Sequence, residues 1–272
     1  MNKDIRQRLR HVASRQNPLV KELRRAFARG ETTPDGCCAI EGLRLVEEAI
    51  RSGLRFRAVF FRQSSLALAD RLLPQIAAQV ETIVLPNEAF DSAVSTETPQ
   101  GVAALAKAPS FTLDDVLRRR PPLVVVLSGI QDPGNLGTIL RSAEAFGASG
   151  VLLGEGTVGP FNAKAVRASA GSVFRVPVVV VKVEKAIARL RQAGLRLVAT
   201  SSHGGTPADQ ADLAGPLAFF IGNEGSGLPR ELISQMDETL AVPHTGQVES
   251  LNAAVAASIL LYEAARRRRT GV

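Results

Sequence analysis

Leu123-Val124-Val125-Val126-Leu127, followed shortly by Gln131-Asp132-Pro133-Gly134-Asn135-Leu136-Gly137, is the stretch on which the fold turns. A continuously apolar run is the pattern of a strand covered on both faces. The glycine- and asparagine-rich loop after it opens a helix, with Leu136, Ile139, Leu140, Ala143 and Phe146 as its apolar stripe. Asn135 is placed to cap that helix. Arg141 lies six residues beyond Asn135 and outside the stripe.

The same alternation continues. Residues 150–153, 176–181, 195–199 and 217–221 are further apolar strand-like runs, and residues 251–266 form a final long helix. Strands alternating with helices in this way predict an α/β domain, a parallel sheet with helices on both faces. Two more loops interrupt it: Ile221-Gly222-Asn223-Glu224-Gly225-Ser226-Gly227, and a segment from Val242-Pro243-His244 through Glu249-Ser250-Leu251-Asn252. In open α/β sheets, ligands bind in the crevice outside the carboxyl ends of the strands. Taken singly, the loops read as a capped helix start, a strand-to-helix turn, and a second cap at Ser250 or Asn252. Together they predict one composite site.

Upstream, strand-like runs at residues 37–40, 56–61, 81–85 and 102–106 alternate with helical stretches. One of these, residues 41–52, sets Leu43, Val46 and Ile50 at helical spacing. Pro109, Pro121, Pro122 and the run Arg118-Arg119-Arg120 mark a linker with a short helix inside it. The expected organisation is a basic lead and a small α/β domain over residues 1–107, a linker at 108–122, and the larger domain at 123–272.

Across 272 residues the chain is 45% apolar and 22% charged, with no Trp and one Tyr, so its cores rest on Val, Leu, Ile and Ala. No apolar run reaches the length of a membrane span. The N-terminus lacks the apolar core of a secretory signal. Cys37 and Cys38 are adjacent and poorly placed to bridge each other, which fits a reducing compartment. A cytoplasmic location is expected.

The net charge of +7 and a pI near 10.1 fit a partner rich in phosphates. The cations gather at both ends: Arg6, Arg8, Arg10, Arg15, Lys21, Arg24, Arg25 and Arg29 at the start, Arg266 to Arg269 at the finish. Complementing a helix dipole could explain the second cluster alone. Both clusters together favour nucleic acid.

Other chemistries are less well supported. Gly154-Glu155-Gly156-Thr157-Val158-Gly159 matches a dinucleotide-binding pattern, but Pro160 follows it and a helix could start only near Asn162. His11, His203 and His244 show no zinc-ligand spacing, so no metal is expected. No GxSxG nucleophile elbow is present. Glu155 and Glu224 as a carboxylate pair are a weak signal.

With these three loops the chain resembles the SpoU/TrmH branch of the SPOUT methyltransferases. The first motif runs from Asn135 through Arg141 to Gly147, the second over Ile221 to Leu228, and the third joins Val242-Pro243 to Ser250-Leu251-Asn252. Lesser similarity covers Lys164 to Gly171, and Glu41-Gly42 with Pro99-Gln100-Gly101-Val102 resembles the family's small substrate-binding domain. The resemblance implies methyl transfer from S-adenosyl-L-methionine to a ribose 2′-hydroxyl of RNA, a deep trefoil knot in the C-terminal part, and a homodimer. It implies that Thr200, Gly222, Val242 and Leu251 contact the cofactor. Asn135, Arg141, Glu224, Ser250 and Asn252 would be catalytic or site-forming, with Arg141 activating the hydroxyl. The extra N-terminal domain favours ribosomal RNA. Transfer RNA, a resistance-type ribosomal methylase and a non-catalytic RNA-binding relative are the alternatives; the last would be expected to lose Asn135, Arg141 or Asn252.

Overall fold

The computed structural model describes residues 7–202, 204–245 and 248–270. They form two compact units. One holds the described residues up to Pro109 together with Gly159–Phe174; the other holds Ser110–Val158 and the described residues from Arg175 onward. Residues 159–174 lie inside the range expected for the C-terminal domain, yet they pack with the first unit.

In the first unit, β1 (Leu9–His11), β2 (Cys37–Glu41), β3 (Phe56–Arg62), β4 (Glu81–Leu85) and β5 (Val102–Lys107) form one sheet in the order β1-β4-β3-β5-β2. β1, β4 and β3 run parallel, whereas β5 is antiparallel to both β3 and β2. The helices are α1 (Pro18–Arg29), α2 (Leu43–Arg51), α3 (Ala67–Leu72), α4 (Asn87–Asp91) and, from residues 159–174, α7 (Ala163–Ala168). Asn17 caps α1 through the Leu19 N–H at 3.0 Å, and Pro18 supplies a first residue that needs no donor. The buried face of α1, Val20, Leu23, Ala26 and Phe27, joins Phe60 and Phe90 in one core. β1 was not expected from the sequence. It is a three-residue edge strand with two exposed positions, too short and too polar to show a period.

The second unit contains α5 (Leu113–Leu117), β6 (Leu123–Leu127), α6 (Pro133–Ala145), β7 (Gly150–Leu153), β8 (Val178–Val180), α8 (Val183–Gln192), β9 (Arg196–Ser201), β10 (Thr206–Pro207), β11 (Leu217–Ile221), α9 (Arg230–Ile233), β12 (Glu238–Ala241) and α10 (Ala253–Thr270). Its seven strands are all parallel, in the order β10-β12-β9-β11-β6-β7-β8. Every residue of β6 and β11 is buried, as their apolar runs require, and they pair from Leu217↔Leu123 to Ile221↔Leu127. α5 occupies the expected linker and begins with a capping box between Thr112 and Asp115. β10 and β12 were not anticipated; they are short strands at the β10 edge of the sheet.

One expectation is corrected here. α6 is capped by Asp132, not Asn135: Asp132 Oδ1 accepts from the N–H groups of Gly134 at 2.5 Å and Asn135 at 3.1 Å. Asn135 lies inside the helix, its amide free for other work. The C-terminal arginines are largely engaged within the unit. Arg266 and Arg267 hold Glu263, and Arg268 donates to the carbonyls of Pro121, Pro122 and Gly215 at 2.6–3.1 Å.

Candidate functional site

The three loops leave the carboxyl ends of β6, β11 and β12 within one sheet, and each is fixed by local chemistry. The first is set by the Asp132 cap. In the second, Asn223 and Gly227 exchange backbone hydrogen bonds at 3.1 and 2.9 Å, with Gly227 at φ 68°. Asn223 Oδ1 accepts from the N–H groups of Gly225 and Ser226, and its Nδ2 donates to the Gly129 carbonyl at 2.7 Å. This ties the second loop to the segment after β6. A Cβ on Gly222 would fall on the backbone of Gly227 and Leu228, so the turn needs glycine there. In the third loop, Asn252 Oδ1 accepts from the N–H groups of Ala254 at 2.9 Å and Val255 at 3.2 Å, starting α10.

The loops are then joined through Asn135. Its Nδ2 donates to Glu224 Oε1 at 2.9 Å, and its Oδ1 accepts from Asn252 Nδ2 at 2.9 Å. Because an ionised carboxylate only accepts, this arrangement assigns the orientation of the Asn135 amide. Glu224 also accepts from the backbone N–H groups of Gln131 at 3.2 Å and Asp132 at 3.1 Å. Burial pushes its carboxyl up, but these donors, with Asn135 first, outweigh that and hold it below the usual carboxylate value.

Beside this network lies a cavity of about 210 Å³. Thr200, Gly222, Val242 and Leu251 all line it, as do Glu224 and Ser250. The Thr200 hydroxyl donates to the Phe220 carbonyl at 3.0 Å, bridging β9 to β11 at the floor. Apolar Ile221, Leu240 and Leu260 and polar Ser201, Ser202 and Glu249 complete a wall suited to a flat ring with polar ends. Asn135 and Asn252 stand outside the cavity walls but are hydrogen-bonded to each other, with Asn135 tied on to Glu224. Arg141 is exposed on α6 and makes no hydrogen bond or ion pair among the described residues. Six residues place it about 9 Å along the axis from Asn135 and roughly 120° around it. The structure therefore brings together every expected site residue except Arg141.

Asn223 and Asp132 are site-forming residues whose work was not expected from the sequence. Asn two residues before Gly-Ser in a turn, and Asp before Pro at a helix start, were the signals available. Glu155 accepts from the Val183 N–H at 3.3 Å, at the start of α8, and is thereby committed outside the cavity. His203, Gly246 and Gln247 lie outside the described residues. Among the described residues there is no group of three His, Cys, Asp or Glu that could hold a metal, and no helix is long and apolar enough to cross a membrane.

Residues 122–262 match the SpoU rRNA Methylase family, and residues 17–104 match the MRM3-like substrate binding domain. The chain is 34% identical over 254 residues to the 23S rRNA (guanosine(2553)-2′-O)-methyltransferase RlmP of Bacillus subtilis, covering 93% of this chain and 98% of that one. It is 32% identical to the 23S rRNA (uridine(2479)-2′-O)-methyltransferase of Streptomyces viridochromogenes, covering 89% and 87%. The crystal structure of the SpoU methyltransferase AviRb from Streptomyces viridochromogenes with AdoMet superposes with a TM-score of 0.83 at 29% identity, covering 94% and 100%.

Proposed function

The chain belongs to the SpoU rRNA methylase family, and on that footing we propose how its residues carry out the reaction. It is an S-adenosyl-L-methionine-dependent RNA methyltransferase that modifies a ribose 2′-hydroxyl of ribosomal RNA. The observation that carries the assignment of roles is the Asn135 amide held between Glu224 and Asn252, which fixes all three loops around one cavity.

The cavity fits the cofactor: its apolar walls suit the adenine, and Gly222 leaves backbone exposed where a side chain would intrude. Thr200, Gly222, Val242 and Leu251 hold it there. The cofactor, when bound, supplies a methyl group on a sulfonium, which departs readily. What remains for the protein is to align a weak nucleophile, and alignment alone lowers such a barrier by several kcal/mol, up to about 7–11.

Glu224 is a poor proton acceptor, since the Asn135 amide and the Gln131 and Asp132 N–H groups already hold its carboxylate and depress its pKa. Its work is to lock the second loop against the first. A guanidinium keeps its proton at working pH, so Arg141 acts as a cation that stabilises the developing alkoxide and grips a neighbouring phosphate. The hydroxyl proton passes to water. Ser250, lining the cavity, orients the ribose, and Asn252 does so from its rim.

The first unit, the described residues up to Pro109 with Gly159–Phe174, serves as the RNA-holding part and the second unit as the methyltransferase part; the substrate-binding-domain match over residues 17–104 supports this. A homodimer belongs to the same reading. Val255, Ile259 and Tyr262 recur on one face of α10 and are 47%, 38% and 47% exposed, an apolar stripe that a second copy would cover. The trefoil knot in the C-terminal part is what membership of the SpoU rRNA methylase family leads us to propose. A cytoplasmic location agrees with a ribosomal substrate and with two free thiols, Cys37 and Cys38.

The test is methyl transfer from labelled S-adenosyl-L-methionine to ribosomal RNA, with the product mapped by resistance to alkaline cleavage. One protected site in the wild type, lost in Arg141→Ala, is the expected result. Cofactor binding with no transfer to naked RNA or ribosomal precursors would overturn the reading. Arg141→Lys keeps the charge but loses the fork, and near-normal turnover in it would remove the phosphate grip.

A further inference from the structure

α6 and α10 start from the first and third loops and run side by side in the same direction, as three contacts along them show. Asn135 meets Asn252 at 2.9 Å, Ser142 meets Ser258 at 2.7 Å, and the Phe146 ring meets Tyr262 edge-on with centroids 5.6 Å apart. The first step is seven residues on α6 and six towards Ser258; the second is four residues on each. At a rise of about 1.5 Å per residue the two steps match to within about 2 Å.

The serine pair is the middle contact, and both side chains are half-buried. Its donor is fixed by a neighbour. Ser258 Oγ donates to the Ala254 carbonyl at 2.7 Å, which uses its only proton, so Ser142 donates and Ser258 Oγ accepts. Ala254 in turn gives its N–H to Asn252 Oδ1 at 2.9 Å, and Asn252 gives Nδ2 to Asn135 Oδ1. These bonds close a ring. It runs from Ser142 across to Ser258, back through Ala254 and Asn252 to Asn135, and along α6 to Ser142 again. Each bond in such a chain polarises the next, so the ring holds its members more firmly than its bonds would singly.

Arg141 directly precedes Ser142, about 100° around the helix from it. No hydrogen bond or ion pair among the described residues holds its guanidinium, so the rotation of α6 about its own axis aims it. A side-chain end stands about 5–6 Å from the axis, so a turn of about 10° moves it by about 1 Å. That is the scale of misplacement that costs about 10²-fold in rate. Asn135 pins α6 at its start; the serine pair pins it again two turns on.

We propose that Ser142 is a positioning residue for methyl transfer: through Ser258 it fixes the rotation of α6, aiming Arg141 and holding Asn135 between Glu224 and Asn252. The proposal rests on the reading of Arg141 given above. Ser142 is not in the cavity wall, and its role requires no contact with cofactor or RNA.

The experiment follows single-turnover transfer to ribosomal RNA by the full chain at saturating S-adenosyl-L-methionine. Ser142→Ala should slow transfer about tenfold, the equivalent of about 1.4 kcal/mol for one lost hydrogen bond, with affinity for S-adenosyl-L-homocysteine unchanged. Ser258→Ala should slow it as much, and the double variant no further, because both substitutions remove one shared contact. Ser142→Thr keeps the hydroxyl and should restore most of the rate. Loss of packing alone would lower the melting temperature and leave the rate of the folded enzyme intact. A Ser142→Ala chain that transfers at the wild-type rate, or single effects that multiply in the double variant, overturns the proposal. A second readout needs no transfer. In chain carrying isotope-labelled asparagine, the side-chain amide signals of Asn135 and Asn252 should both move in Ser142→Ala, although the substitution lies two turns away; unmoved signals overturn the proposal whatever the rate. Should Ser142→Ala fail to fold, Ser258→Ala carries the same two readouts. If the wild type methylates no ribosomal RNA and the amide signals move, Ser142 still positions Asn135 and the assigned reaction is what falls.

Discussion

Asn135 commits both ends of its amide, one to Glu224 and one to Asn252, so no side chain lacking either group can replace it. Asn135→Ala should cut methyl transfer by about 10²-fold, the usual effect of misplacing reacting groups by an ångström. Cofactor affinity should change little, because Asn135 is not in the cavity wall; single-turnover transfer beside equilibrium cofactor binding separates the two. Gly222 should behave in the opposite way. Its Cβ would meet backbone at Gly227 and Leu228, which has no rotamer to give, so Gly222→Ala should lose cofactor binding by more than about tenfold in a titration with S-adenosyl-L-homocysteine. Asn135 also shows what one sequence leaves open at this scale. Its position near a helix start predicted a cap, but Asp132 holds that place, and only the neighbouring loops reveal the use of the freed amide.

α10 shows what an element adds. Its start is fixed by Asn252, the same residue that reaches Asn135, so forming the helix and assembling the site share one side chain. Near its end Glu263 accepts from Arg266 at 2.6 and 2.9 Å and from Arg267 at 2.9 Å. The Arg266 hydrogen bonds lead in drawing its carboxyl from 4.5 to about 2; burial opposes them and Arg267 adds to them. A pKa depressed by folding stabilises the folded state fully above about 4.5, and that stability is lost as pH falls through about 2. Glu263→Gln should therefore melt lower than wild type at pH 7, by no more than about 2–4 °C. The gap should close between pH 4.5 and about 2, as followed by melting temperature against pH. A gap that did not vary with pH would mean that packing, rather than charge, is what the substitution removes. The basic tail that suggested nucleic acid is, at Arg266 to Arg268, part of this internal arrangement.

For the whole molecule, the apolar stripe Val255, Ile259 and Tyr262 is the prominent exposed apolar feature of α10, and Tyr262 meets Phe146 edge-on with ring centroids 5.6 Å apart. If a second copy covers it, Ile259→Glu should give a monomer in sedimentation at concentrations where the wild type is dimeric. A monomeric wild type would remove the dimer from the proposal. The division into two units has a consequence at this scale as well. Residues 159–174 fold with the first unit although they fall between two stretches of the second, so a cut at any single linker would remove part of a core.

The apolar runs at 123–127 and 217–221 are continuous enough that only a strand buried on both faces accounts for them, which made the parallel sheet legible without coordinates. The three loops were equally legible, because glycine, proline and asparagine at strand ends announce turns whatever surrounds them. Local patterns could not carry the short strands β1, β10 and β12, since two to four residues show no period and owe their form to the neighbours they pair with. Nor could they tell that Arg268 serves the Pro121 and Pro122 carbonyls while the side chains of Arg25 and Arg29 serve none among the described residues. The amino-acid sequence by itself determined the fold class, the family and the three loops of the candidate site, since those depend on local propensity and on motif. Which side chains meet, which amide faces which carboxylate and which charges stay free were decided by tertiary structure alone, because hydrogen bonds and ion pairs are set by distance in space, and these join residues some 90 to 150 positions apart.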